Sequence, residues 1–359
     1  MKAIINGNII FENKLVKDRI LIFDKDIIGC FDEIPDIYKT KIDIIDVKGG
    51  YVAPGFISID EKFNNIKYDF TNTDIWEYDA LERKMASNGV TSYLASISAN
   101  RQSELKHTLI CIKRKMSSSY FSGPRLLGVS LRDIDKENPN IVDVLNNENL
   151  RHTIKSIDTS IKGTNNIYSN TQLEEPQIVD FIKRNSFNNA EKLNIQNTYG
   201  ILSKDKPADI VIIDQNLECK MTFVNGKLKY EKLFTIKELK YALQSLPNTL
   251  VKSSSGFYLL KEYGSYRGDY KDIFIALNGF CSEAIPSDKN ITSHQLIDLL
   301  EEALEYGRME GYKGGLFNVE EDTLVALSEY GVASDFYVNS VEYKDGCVVL
   351  NHTNSDYKA

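Results

Sequence analysis

The chain has 359 residues, with 42% apolar and 26% charged residues, the balance of a folded globular protein rather than a disordered one. No apolar run reaches the roughly 18–20 residues of a membrane span, and the start, MKAIINGNIIFEN, lacks a small-residue cleavage site, so membrane insertion and secretion are not expected. Residues 1–230 carry 31 Lys+Arg and 31 Asp+Glu, and residues 231–359 carry 12 and 20, so the whole net charge of −8 belongs to the C-terminal third. A neutral block joined to an acidic block argues against a non-specific nucleic-acid binder. Five scattered cysteines without a C-x-x-C fit reduced thiols in the cytoplasm.

Residues 1–50 read as short strands, AIINGNII, RILIFD, IIGCF and Asp43–Val47, with turn residues at Asn6-Gly7 and Asp24-Lys25. The run Val52–Ile59 is apolar and interrupted by Pro54-Gly55. Helical spacing over 76–88 follows, then a β-rich run over Thr91–Ile97, an amphipathic helix over 102–117 and a strand at Arg125–Val129. This βαβα order predicts a parallel sheet or part of a barrel. Residues 133–175 are Asn-rich and give no clear elements, and 176–193 have helical spacing. Strands return at 208–214 and 219–224, with Asn225-Gly226 as a type I′ turn before Lys227–Tyr230. Farther on, Thr235-Ile-Lys-Glu238 and Thr292-Ser-His-Gln295 are capping boxes, each opening a helix with a leucine-rich face. Strand-like runs at 257–260, 273–277, 324–327, 336–341 and 347–350 surround them. The expected division is a β-sandwich from 1–52 and 205–230, a βα region over 53–204 and an acidic α+β domain over 231–359.

Four collinear stretches carry a family resemblance: Tyr51-Val-Ala-Pro-Gly-Phe-Ile57, Gly89-Val-Thr-Ser-Tyr-Leu-Ala95, Gly123-Pro-Arg-Leu-Leu-Gly128, and a closing region. That region joins Asn189-Ala-Glu-Lys-Leu193 and Gly200-Ile-Leu with Pro207–Asp214 and Val224–Lys227. Over residues 1–230 the chain resembles the amidohydrolase superfamily, specifically the N-acetylglucosamine-6-phosphate deacetylases. The resemblance implies a β-sandwich assembled from both chain ends beside a (β/α)8 barrel holding a divalent metal for amide hydrolysis. The metal ligands it calls for are replaced. Asp60 and Lys62 stand where an H-x-H pair is expected, and Arg132 stands where the family has a metal-binding Glu. His107 and His152 fall in no matching motif, and Asp158 is a weak match to the catalytic aspartate. Only 153 residues separate Pro54 from Pro207, which is room for about five βα units rather than eight. The expected fold is therefore α/β plus β: an amidohydrolase-like β-sandwich with an incomplete barrel, fused to a small α+β domain.

Residues 234–330 resemble a small module associated with bacteriophages, on Ser265-Tyr-Arg-Gly-Asp-Tyr270 and Gly311-Tyr-Lys-Gly-Gly315. Both motifs set a Tyr beside a cation beside a Gly: Tyr266-Arg267-Gly268 and Tyr312-Lys313-Gly314. Glycine amides with a cation suit an anion, and tyrosine offers a stacking face, so these six residues are the candidate ligand-binding set. Neither His294 nor His352 has a Cys or Ser beside it in a recognised catalytic context.

These readings favour a pseudoenzyme acting as a binding protein, phage- or mobile-element-encoded, without metal or cofactor. It would engage a host protein or sequester a small phosphorylated or nucleotide-like ligand, with an anti-defence role. An incomplete barrel leaves sheet edges that the second domain or a second subunit would cover, and a homo-oligomer is expected. The alternative is a metal-free enzyme of altered chemistry using Asp60, Glu61, Lys62, Arg132 and Asp158.

Overall fold

The computed structural model describes every residue except 12–13, 60–61, 64–65, 69, 72–74, 99–101, 118–122, 133–136, 158–172, 261–262, 265–273, 279–288, 311–315, 330–331 and 354–359. The chain divides into two compact units, Met1–Glu231 and Lys232–Ala359.

The first unit opens with β1 (Lys2–Ile10), β2 (Leu15–Phe23), β3 (Ile27–Phe31), β4 (Asp43–Asp46) and β5 (Tyr51–Pro54). Asn6-Gly7 is not a turn. It lies inside β1, where Asn6 takes a left-handed φ of 55° and the pairing register with β2 shifts. The irregularity has a use: residues 2–5 of β1 pair with β4, and Asn8-Ile9 pair with β5. One strand thus serves two neighbours along the same edge.

The chain then leaves the sheet through β6 (Phe56–Ser58) and the small hairpin of β7 (Lys62–Phe63) and β8 (Ile66–Lys67). It continues through α1 (Ile75–Ala86), β9 (Val90–Ile97), α2 (Gln102–Ser117), β10 (Arg125–Leu131), α3 (Pro139–Leu145), α4 (Glu148–Arg151) and β11 (Ile154–Ile157). Strands β6, β9, β10 and β11 form a four-stranded sheet, all parallel and side by side in chain order. Helices cross between β6 and β9, between β9 and β10, and between β10 and β11, so the sheet is wound in one direction, as in part of a barrel. The Asn-rich stretch supplies α3, α4 and β11, which the weak periodicity of the sequence does not predict.

The predicted helix over 176–193 is two helices, α5 (Glu175–Asn185) and α6 (Phe187–Lys192). They break at Ser186 (φ −117°, ψ −85°), whose hydroxyl donates to the Ile182 carbonyl at 2.6 Å. Strands β12 (Ile210–Ile213), β13 (Cys219–Val224) and β14 (Lys227–Glu231) then return to the first sheet, β12 pairing antiparallel with β5. Asn225 and Gly226 both have positive φ (49° and 71°), as a type I′ turn requires. The resulting order is β14-β13-β12-β5-β1-β2-β3, with β4 beside β1. Phe23 of β2 and Phe223 of β13 stand far apart in that order, yet their rings meet edge to face at 5.3 Å. The sheet therefore folds over on itself, enclosing Ile4, Leu21, Val52, Ile210, Ile212 and their neighbours.

Strand β12 is buried on both faces: Ile210 and Ile212 point into that fold, and Val211 and Ile213 into a cluster shared with the helices. Each fully buried aliphatic side chain of this kind contributes about 1.5–3 kcal/mol.

The second unit contains α7 (Ile236–Gln244), β15 (Val251–Ser253), β16 (Tyr263–Gly264), β17 (Phe274–Asn278), α8 (Ser293–Tyr306), β18 (Arg308–Glu310), β19 (Leu316–Asn318), β20 (Leu324–Glu329), β21 (Val332–Lys344) and β22 (Cys347–His352). Its main sheet is mixed, in the order β15-β22-β21-β20-β17-β16. Both capping boxes form: Thr235 accepts from the Glu238 amide, and Thr292 from the Gln295 amide. The run 257–260 is not a strand; Tyr258 and Leu260 make only isolated bridges. Leu239, Leu243, Leu296 and Leu300 pack with Val325, Val338 and Val348 into the core of this unit.

Candidate functional site

The two faces of the parallel sheet differ. Tyr93, Ala95 and Ile97 of β9 join the helix-covered cluster with Leu105, Leu109 and Ile112 of α2. Leu94 faces the other way, into a cluster with Ile57, Ile59 and Ala190, against which Leu127, Leu193, Ile195 and Tyr199 pack. The inner face is thus closed partly by α6 and the turn after it. Asn189 anchors this piece by donating its side-chain amide to the Ile57 carbonyl of β6 at 2.9 Å.

A β-bulge decides what else lies on the inner face. Leu126 pairs with Tyr93 and Gly128 with Leu94, so β10 spends one extra residue against β9. Gly128 holds φ +150°, and a Cβ there would lie 2.7 Å from the Thr153 carbonyl oxygen. The extra residue reverses the alternation: Leu126 faces the helices before the bulge, Val129 and Leu131 after it. Ser130 and Arg132 consequently share the inner face with Ser96, which is the direct cross-strand neighbour of Ser130. Ser156 of β11 holds the next register position beyond Ser130.

Near the C-terminal ends of the strands this face is polar and buried. Ser96 and Ser130 are 3% and 1% exposed, and neither hydroxyl oxygen has a hydrogen-bond partner among the described residues. Arg132 is 8% exposed; its amide donates to the Ile97 carbonyl at 2.8 Å, and its guanidinium reaches across to the Ile59 carbonyl at 3.3 Å. At the opposite ends of the strands, Arg125 pairs with Asp209 (2.6 Å), donates to Asn225 Oδ1 (2.6 Å) and Ser92 Oγ (3.1 Å), and lies 4.6 Å from the Tyr199 ring centroid. That saturated cluster ties the parallel sheet to β12 and the β13–β14 turn.

The sequence-predicted residues fare unevenly. Arg132 sits on the inner face at the mouth of the strands. Lys62 lies in the backbone of β7. Asp60, Asp158, Tyr266, Arg267, Gly268, Tyr312, Lys313 and Gly314 lie outside the described residues. His107 is an exposed α2 residue with Nε2 3.6 Å from Cys111 Sγ, and His152 caps the end of α4. A divalent metal does not fit this mouth as described, because a buried guanidinium supplies positive charge and N–H donors where a cation needs lone pairs. Among the described residues no group of three or more His, Cys, Asp or Glu is placed to hold a metal ion. Nor is any helix among them long and apolar enough to cross a membrane.

No family model matches the chain, and no curated protein matches it. Solved structures similar to it are N-acetylglucosamine-6-phosphate deacetylases, at low identity. The Pasteurella multocida enzyme has 11% identity and a TM-score of 0.47, covering 64% of this chain and 100% of the other. The Thermotoga maritima enzyme has 13% identity and a TM-score of 0.42, with the same two coverages. The guanine deaminase of E. coli has 13% identity and a TM-score of 0.36, covering 64% of this chain and 99% of its own.

Proposed function

We propose that the chain is a binding protein with an amidohydrolase-like frame, and that its first unit takes a small phosphorylated ligand at the C-terminal ends of β9 and β10. One observation carries this reading: two buried, adjacent hydroxyls that have no partner among the described residues, Ser96 and Ser130, on the face and at the strand ends that also carry Arg132. An orphan hydroxyl inside a protein forgoes about 1–3 kcal/mol, which a bound acceptor restores. A phosphate offers acceptor oxygens to both hydroxyls and charge to the guanidinium, the pairing for which arginine is best suited. Hydrolysis of the amidohydrolase type is not proposed, since Arg132 replaces an acceptor with a donor. The resemblance of residues 234–330 to a phage-associated module supports a mobile-element origin, in which capture of a host's phosphorylated signal would counter a defence.

Calorimetric titration with inorganic phosphate and a hexose 6-phosphate, against the unphosphorylated hexose, tests the reading. Phosphorylated ligands should bind, with Arg132→Ala weakening them at least tenfold and Ser130→Ala a few-fold. Equal affinity for the unphosphorylated sugar, or no loss in Arg132→Ala, would reject the site, as would stoichiometric zinc or iron in the purified protein. Arg267→Ala and Lys313→Ala form a separate arm; a comparable loss there would assign the phosphate to the Tyr-cation-Gly motifs instead.

A further inference from the structure

Residues 253–257 of the second unit form a tight turn at the C-terminal end of β15. The Gly256 amide donates to the Ser253 carbonyl at 2.9 Å, and the Ser253 amide to the Phe257 carbonyl at 2.7 Å. Gly256 supplies the left-handed φ of +94° that the turn needs. β15 runs parallel to β22, and the Ser254 amide donates to the Leu350 carbonyl at 2.9 Å, which brings the turn beside the end of β22. Ser255, exposed at the tip, thereby meets a residue 97 positions away: its Oγ lies 3.0 Å from His352 Nε2.

The imidazole is oriented from its other side. His352 Nδ1 lies 3.0 Å from the Thr353 carbonyl oxygen, an atom that only accepts, so the proton belongs on Nδ1 and the Nε2 lone pair is directed at the serine. Phe336 packs on the ring with centroids 4.8 Å apart, restricting its rotation. Hydroxyl, base and orienting acceptor therefore stand in the order that activates a serine.

We infer that Ser255 is a nucleophile activated by His352, able to accept an acyl group from a small activated carboxylic ester. Ser255 Oγ attacks the ester carbonyl carbon as its proton passes to His352 Nε2. A C–O bond to the serine forms, the C–O bond to the leaving alcohol breaks, and the imidazolium returns the proton to the departing oxygen. Water then releases the acid by the same route. The Ser255 amide has no acceptor among the described residues and is available to the oxyanion, the arrangement in which the nucleophile's own N–H serves. Ser255 is exposed, so the site suits an ester presented from solvent.

The full chain is treated with a fluorophosphonate, which joins phosphorus to the serine oxygen and expels fluoride, and the adduct is located by peptide mass mapping. An adduct on Ser255 is expected, absent in Ser255→Ala, at least tenfold slower in His352→Ala and His352→Gln, and unchanged in Ser254→Ala. A p-nitrophenyl acetate burst should follow the same order. Matching circular dichroism of the two histidine variants separates lost activation from lost folding. No adduct on Ser255, or an equal rate in a folded His352 variant, would overturn the assignment.

Discussion

Glu82 is wholly buried in the helix layer of the first unit, where an unpaired carboxylate would be prohibitive. Tyr93 donates to one of its oxygens at 2.9 Å, and Lys115 lies 3.1 Å from the other and 3.0 Å from Asp79. Burial works against the charge on Lys115, but Glu82 and Asp79 outweigh it and raise its pKa; burial, reinforced by Glu82, pushes the Tyr93 phenol well above its ordinary range. Lys115→Met should destabilise the unit by about 3–5 kcal/mol in urea unfolding, and adding Glu82→Leu should recover most of that loss. A recovery of nothing would show that the pair is not the cause.

Cys219 supplies the pH-dependent case. Burial raises its thiol pKa to about 12, with Thr222 hydrogen-bonding to it at 3.2 Å. The unfolded thiol ionises near its ordinary value of about 8.5 and the folded one does not. Its contribution to stability is therefore complete below that value and is lost as pH rises toward 12. The stability gap between the wild type and Cys219→Ala should narrow by about 1.4 kcal/mol per pH unit above pH ~9. A gap that stays constant would place the ionisation elsewhere.

Among the elements, the bulge in β10 decides which of its residues share the inner face of the parallel sheet. Without it, Ser130 and Arg132 would face the helices with Leu126. Gly128→Ala meets both the positive φ and the Thr153 carbonyl, and should cost about 1–3 kcal/mol; if the proposed phosphate site is right, it should also weaken that binding more than Leu127→Ala does. The same element shows what the sequence reveals. The strand Arg125–Val129 is legible from its apolar run, and the capping boxes at Thr235 and Thr292 are legible because their bonds close within four residues. Periodicity does not give the facing of Arg132, because strict alternation from Leu126 assigns it to the wrong side; only the family resemblance points it to the strand mouth. Asn6-Gly7 is misread for a related reason: turn chemistry and a bulge both call for a left-handed residue, and only the neighbouring strands distinguish them. Ser255 and His352 are each unremarkable locally; the parallel pairing of β15 with β22 is what joins them.

At the scale of the molecule, the neutral and acidic blocks of the sequence coincide with the two compact units to within one residue. Each has its own apolar centre, around Val211 and Phe56 in one and Leu296 and Val325 in the other. Scanning calorimetry should resolve a transition lowered by Phe56→Ala and a different one lowered by Leu296→Ala. A single transition moved by both would show that the units melt together.

The side-chain amide of Asn189 also bears on self-association. It satisfies the buried Ile57 carbonyl of β6, the end strand of the parallel sheet, and so holds α6 over that strand. Asn189→Leu would leave this margin of the sheet adhesive, and the variant should form filaments on prolonged warming while the parent protein stays dispersed. The side chain would then be a guard against self-templating as much as a peg for α6.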